Sequence, residues 1–132
     1  MSTNQELIDQ ALSELGYHGE GASASTAASA DALAALNNLM HEWKYQSRDL
    51  NWFTQDTLDD TAPVPKWALK GVISCLGMRL STVFDITPTG QLVADARDGK
   101  KAITRTLINI NLVGADMRHL PQQGRYNIES DT

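Results

Sequence analysis

The stretch WALKGVISCLGMRLSTVF, residues 67–84, decides the fold. Trp67, Leu69, Val72, Ile73, Leu76, Leu80, Val83 and Phe84 follow helical spacing and make the broadest apolar stripe in the chain. A helix apolar over so wide an arc must be covered by others, so it is expected to be the central element of a helical bundle. Its remaining side is small: Ala68, Gly71 and Cys75, with Gly77 beside them. A helical glycine costs about 1 kcal/mol relative to alanine. Two of them in one helix imply the close approach of another backbone, from a helix of this chain or of a neighbouring subunit. Lys70, Ser74, Arg79 and Ser81 interrupt the run and make it too polar to span a membrane.

Upstream, Pro65 stands where the first residue of this helix is expected, and with Pro63 it closes an acidic loop, Gln55 to Thr61, that carries Asp56, Asp59 and Asp60. Leu50, Trp52 and Phe53 precede it as an aromatic turn expected to cover one end of the bundle. Before the turn, Leu33, Leu36, Leu39, Met40 and Trp43 recur at spacings of three and four, a second amphipathic helix that Thr26 or Ser29 can cap. Trp43 and Trp67 lie on helical apolar faces and read as core or subunit-contact anchors, whereas Trp52 is expected to be more exposed. Further upstream, Thr3 and Glu6 have capping-box spacing. Leu7, Ile8, Ala11, Leu12 and Leu15 then follow helical period until Gly16, which predicts a first helix over 4–15. Residues 16–25, with three glycines among Ser and Ala, read as a connection.

Downstream, Thr87-Pro88 restarts the chain. Leu92, Ala96, Gly99, Ile103 and Leu107 form the stripe of a fourth helix over about 88–107. Ile108, Ile110 and Leu112 then alternate with Asn109, Asn111 and Val113. That pattern fits a short β-strand near 107–113 as well as a continued helix. The remainder is polar, punctuated by Gly114, Pro121 and Gly124, and buries too little to build a core of its own. The expected architecture is therefore all-α: a bundle of about four helices over residues 1–107 and an extended C-terminal arm over 108–132. A body with an arm is the layout of a small docking protein.

A chain of 132 residues supports one domain with a modest core. The N-terminus lacks the basic and apolar regions of a signal peptide, which predicts a protein made and used without secretion. Cys75 is the single cysteine, so no intramolecular disulfide forms, and within a helical apolar pattern it reads as a small buried hydrophobe. Sixteen acidic and 11 basic side chains give a net charge of −5. The basic footprint of a sequence-reading nucleic-acid binder is weak here. Arg97, Lys100, Lys101 and Arg105 have helix-face spacing and read as a solvated face or an inter-subunit pairing surface. The competing function is a small helical nucleic-acid-binding protein that sets these four side chains against phosphates.

Catalytic and metal chemistry finds little support. His41-Glu42 begins like a zinc-protease helix, but Tyr45 occupies the place of the second histidine. His18, His41 and His119 fall in three different segments without Cys or carboxylates at ligand spacing. Asp56, Asp59 and Asp60 lack the spacing and glycine of an EF-hand and read as a solvated loop. Phosphate-loop and nucleophile-elbow motifs are missing, and no cofactor is implied. A small enzyme, the third reading, would need a paired nucleophile and base that the sequence does not supply.

The order of segments resembles a known family. ELIDQALSELG, a Ser/Thr/Ala-rich gap, DALAALNNLMHEWKYQSRDL, an acidic loop, a helix, ADARDGKKAI and a HLPQQGRYN tail are similar to the head-to-tail adaptors of tailed bacteriophages. These are also called tail accessory, packaged-DNA stabilisation or head-completion proteins, and the likeness is to those of short-tailed phages. The resemblance spans nearly the whole chain. It rests on the order of four features: the first helix ending at Leu15-Gly16, the second ending in Glu42-Trp43, Gly99-Lys100 in the fourth, and Leu120-Pro121 with Gly124 in the tail.

The resemblance implies a structural virion protein at the portal vertex of the head, assembled in the host cytoplasm. It implies a homo-oligomeric ring, commonly of twelve copies, that binds beneath the portal protein, extends the DNA channel, closes the filled head and offers a platform to a tail or nozzle protein. Packaged DNA would pass through without sequence-specific binding. On that frame Met117, Leu120, Pro121 and Tyr126 are expected as apolar anchors to the portal, and Arg118 and Arg125 as partners of portal carboxylates. Subunit contacts are expected at Trp43, Gly71, Cys75, Arg97, Lys100 and Lys101. Asp56, Asp59, Asp60, Asp95 and Asp98 are the candidates for the channel wall, where like charge would keep DNA from adhering.

Overall fold

The computed structural model describes residues 2–17, 26–46 and 48–119, with Thr26 and residues 111–119 described by backbone alone. Four helices make the all-α bundle: α1 (Asn4–Leu15), α2 (Thr26–Tyr45), α3 (Lys66–Val83) and α4 (Gly90–His119). The described residues contain no β-strand beyond an isolated antiparallel bridge between Thr3 and Thr61.

Helix α1 begins and ends where its local chemistry dictates. The Thr3 hydroxyl accepts from the Glu6 amide, and the Glu6 carboxylate accepts from the Thr3 amide at 2.9 Å, so two otherwise unpaired donors are satisfied at once. Gly16, at φ 86°, turns left-handed and donates its amide back to Leu12 and Ser13. The start of α1 and the residues before it are tied to the acidic loop and the residue after it: the Asn4 amide donates to Asp60 O and the Gln5 amide to Leu58 O, while the Ala62 amide donates to Ser2 O.

Helix α3 is the centre of the bundle, as its stripe predicts. Val72, Leu76 and Leu80 are fully buried, and the core continues through Leu7, Ile8 and Ala11 of α1, Leu36, Met40 and Trp43 of α2, and Leu92, Ala96 and Ile103 of α4. The two-glycine signal is explained by α4. A Cβ placed on Gly99 would lie 2.7 Å from the Gly71 Cα, and one on Gly71 would lie 3.2 Å from the Gly99 carbonyl oxygen. The helices thus touch backbone to backbone, a distance no larger residue permits.

Several expectations are corrected. Pro65 is the N-cap of α3, one residue before the helix. Trp52 is buried, because its indole Nε1 donates to Asn37 Oδ1 at 3.0 Å and the ring lies in the core. Trp67 is instead 46% exposed, since the face it occupies near the start of α3 is only partly covered. Phe53, expected to help cover the bundle, is 65% exposed. Helix α4 starts at Gly90, where the Thr89 hydroxyl accepts from the Leu92 amide, and continues through residues 108–119. The strand reading of 107–113 is therefore replaced by helix, and the segment taken as an extended arm is helical as far as His119. The alternation does not prevail, because each further residue adds a backbone hydrogen bond to a helix already nucleated, and the described residues give it no neighbouring strand to pair with.

Candidate docking surfaces

Helices α2 and α4 both lie against α3 but stand apart from one another, and an open groove of about 880 Å³ runs between them. Its floor comes from Leu39 and Trp43 of α2, Cys75 and Met78 of α3, and Ala96 of α4. The α2 rim carries Asp31, Asn38 and Glu42, whereas Arg97 and Lys100 stand on the α4 rim. Arg79 of α3 donates to the Glu42 carboxylate at 2.9 Å across the groove. Both partners are partly solvated, so this pair adds little stability and serves mainly to position charge.

Arg48 adds a further cation at the end of α2. Its guanidinium carbon sits 5.5 Å from the centroid of the Trp43 ring, and it reaches Thr104 of α4 with one nitrogen and Gln46 with another. Arg79, Arg97 and Lys100 line the groove and Arg48 lies over Trp43 beside it, against Asp31 and Glu42 on the α2 rim, so the balance is positive here in a chain whose net charge is −5. Cys75 registers the environment. Burial raises its thiol pKa above the usual value, with Lys100, Arg48 and Arg79 pulling in the opposite direction. Its Sγ donates to the Ala96 carbonyl at 3.4 Å, so it packs as a small hydrophobe with a weak hydrogen bond.

A second surface is the acidic loop on the other flank of α2. Asn37 holds its base: its Oδ1 accepts from the Gln55 amide at 2.9 Å as well as from the Trp52 indole, and its Nδ2 donates to Gln55 O at 2.9 Å. His41 Nε2 and Thr54 Oγ1 are hydrogen-bonded at 3.0 Å. Asn4, buried at the start of α1, donates to both Gln55 Oε1 and Thr57 O. These ties present Phe53, Asp56, Asp59 and Asp60 to solvent on a fixed base.

A third, smaller hollow of about 310 Å³ lies beside the Gly71–Gly99 contact, with Trp67, Lys70, Asp95 and Asp98 around it. Asp95 accepts from Gln91 at 2.8 Å, and Asp98 lies 3.8 Å from the Arg97 guanidinium on an exposed face.

The residues expected at subunit contacts divide. Arg97, Lys100 and Lys101 are exposed on α4. Trp43, Gly71 and Cys75 are buried inside one chain: Trp43 is 1% exposed and Gly71 is pressed on Gly99, while Trp43 and Cys75 line the floor of the groove. Met117 and Arg118 fall on the backbone of α4, and Leu120, Pro121, Arg125 and Tyr126 lie outside the described residues. Sequence reading missed the groove and the role of Asn37, because each depends on which helices flank which. Among the described residues no group of three or more His, Cys, Asp or Glu side chains is placed to hold a metal ion, and no helix is long and apolar enough to cross a membrane.

Fold and surfaces together define a small all-α protein with an anchored acidic loop and a charged groove. The family model of the P22 tail accessory factor matches residues 1–122, and the chain belongs to that family of short-tailed phage head-tail proteins. Membership carries a structural role in the virion, in association with other virion components. No curated protein matches the chain.

Proposed function

We propose that this protein is a head-to-tail adaptor that gathers in many copies, twelve in the type expected from the resemblance, beneath the portal ring. There it extends the DNA channel, closes the filled head and offers the tail or nozzle protein its platform. The observation that carries this reading is family membership over residues 1–122, almost the whole length of the chain. The build of the molecule supports it. Helix α4 is 30 residues long against 18 for α3, so its last turns extend past the helix it packs on, toward the segment assigned to portal attachment.

In this reading Met117, Leu120, Pro121 and Tyr126 anchor to the portal with Arg118 and Arg125 pairing to its carboxylates, and repetition around the ring strengthens a contact that is weak for one copy. Arg97, Lys100 and Lys101 face neighbouring copies. Asp56, Asp59, Asp60, Asp95 and Asp98 are the carboxylates available to the channel wall. The role is structural, without catalysis or cofactor.

The test is the mass of purified portal rings before and after mixing with this protein and removal of the excess. A stoichiometric multi-copy complex is expected, and deletion of residues 115–132 is expected to abolish it while leaving the helical signal of the body. A portal mass that stays unchanged with the intact chain overturns the adaptor reading. Salt-sensitive binding to duplex DNA in that case would favour the phosphate-contacting alternative through Arg97, Lys100, Lys101 and Arg105.

A further inference from the structure

The groove between α2 and α4 and the acidic loop are complementary surfaces on opposite flanks of one helix. The groove gathers Arg79, Arg97 and Lys100 around an apolar floor that includes Trp43 and Met78; Glu42 pairs with Arg79 and Asp31 stands on the α2 rim, so the cations open to a partner are Arg97 and Lys100 of the α4 rim. The loop presents Phe53, 65% exposed, together with the exposed carboxylates of Asp56, Asp59 and Asp60. An aromatic knob with flanking carboxylates matches an apolar floor with cations along its α4 rim. We propose that the acidic loop of one copy seats in the α2/α4 groove of the next, which names the contact between copies and rests on the reading above that copies associate around the portal.

The occupant is a second copy because the loop cannot reach its own groove. Asn37 and His41 pin the loop to one flank of α2, while Ala35, Leu39 and Glu42 form the groove on the other. Since two different surfaces meet, each contact leaves one free groove and one free loop, and the series continues until rotation closes a ring. One short loop in one groove is a small interface, so free copies pair weakly and transiently, and the series accumulates where a portal collects them. Loop carboxylates engaged in this way leave the channel wall to Asp95 and Asp98.

Charge reversal tests the pairing. One variant carries R97E and K100E, the other D56K and D59K; all four side chains are exposed, and an unchanged helical circular dichroism signal verifies the fold. Each variant alone is expected to load portal rings to about a tenth of the wild-type level. An equal mixture is expected to recover loading, because each acidic surface then meets a basic one at both contacts. Wild-type loading by either variant alone, or a mixture that stays unloaded while wild type loads, overturns the proposal.

A portal-free measurement separates it from the adaptor reading. A zero-length carbodiimide reagent applied to a mixture of isotopically light and heavy wild-type chains is expected to link Lys100 to Asp56, Asp59 or Asp60 between chains. Links from Lys100 only to other sites, or no interchain link at all, overturn the pairing. A wild-type chain that gives the expected link but fails to load portals retains the pairing and loses the adaptor reading.

Discussion

Helix α3 meets its two long neighbours in different ways. Against α4 it closes to backbone contact at Gly71 and Gly99; against α2 it packs through side chains, and a turn beyond the glycines α2 and α4 separate to leave the groove over Cys75 and Met78. The sealed side holds the bundle together, and the open side keeps charged and apolar groups available. The same helix therefore supplies both stability and contact, and the choice between them is made by residue size within a few positions. Glycine lets α4 descend onto α3, whereas Trp43 and Met78 build a floor that α2 and α4 border without closing.

The sharpest way to break this contrast is to add a side chain where the seam has no room. Gly99→Val is expected to destabilise the protein by about 3 kcal/mol, because the nearest obstacle is Gly71 backbone, which cannot move aside by changing rotamer, and valine brings little gain in helix propensity. A urea titration measures it, and an unchanged midpoint would mean that the seam is looser than its geometry. Next in size is the anchor of the loop. Asn37→Ala removes the acceptor of the Trp52 indole and of the Gln55 amide together with the donor to Gln55 O. It is expected to cost about 2 kcal/mol through buried groups left unpaired, with a shift in tryptophan fluorescence as Trp52 takes on water. The smallest effect belongs to the groove itself. Glu42→Gln cuts the ion pair with Arg79, and the same titration should find a change within about 0.5 kcal/mol, since both side chains are partly solvated. A large loss there would move the groove from the contact side of the comparison to the structural side.

The contrast was half legible in the sequence. Periodicity locates the centre of the fold in residues 67–84, and Thr3, Glu6 and Gly16 place α1 at Asn4–Leu15 because capping is local chemistry between residues three or four apart. The glycines of α3 announce a close neighbour, and Gly99 already stands in the stripe of α4, but pairing the two requires the tertiary arrangement. Trp52 was misplaced for a related reason. Its burial depends on Asn37, fifteen positions upstream, a polar residue whose role no apolar pattern marks. Of the candidate surface residues, Arg97, Lys100 and Lys101 could be placed on an outer face by spacing alone, whereas the groove beside them is a gap between helices and leaves no motif.

The tightness of the Gly71–Gly99 contact has a mechanical side. From Gly99 to His119 the helix runs on for twenty residues, a lever of about 30 Å. A rocking of about 10° at that fulcrum would sweep the tip through about 5 Å, roughly the pitch of one helical turn. With backbone against backbone there is almost no play in the pivot, so the aim of the far end is set by the absence of two side chains.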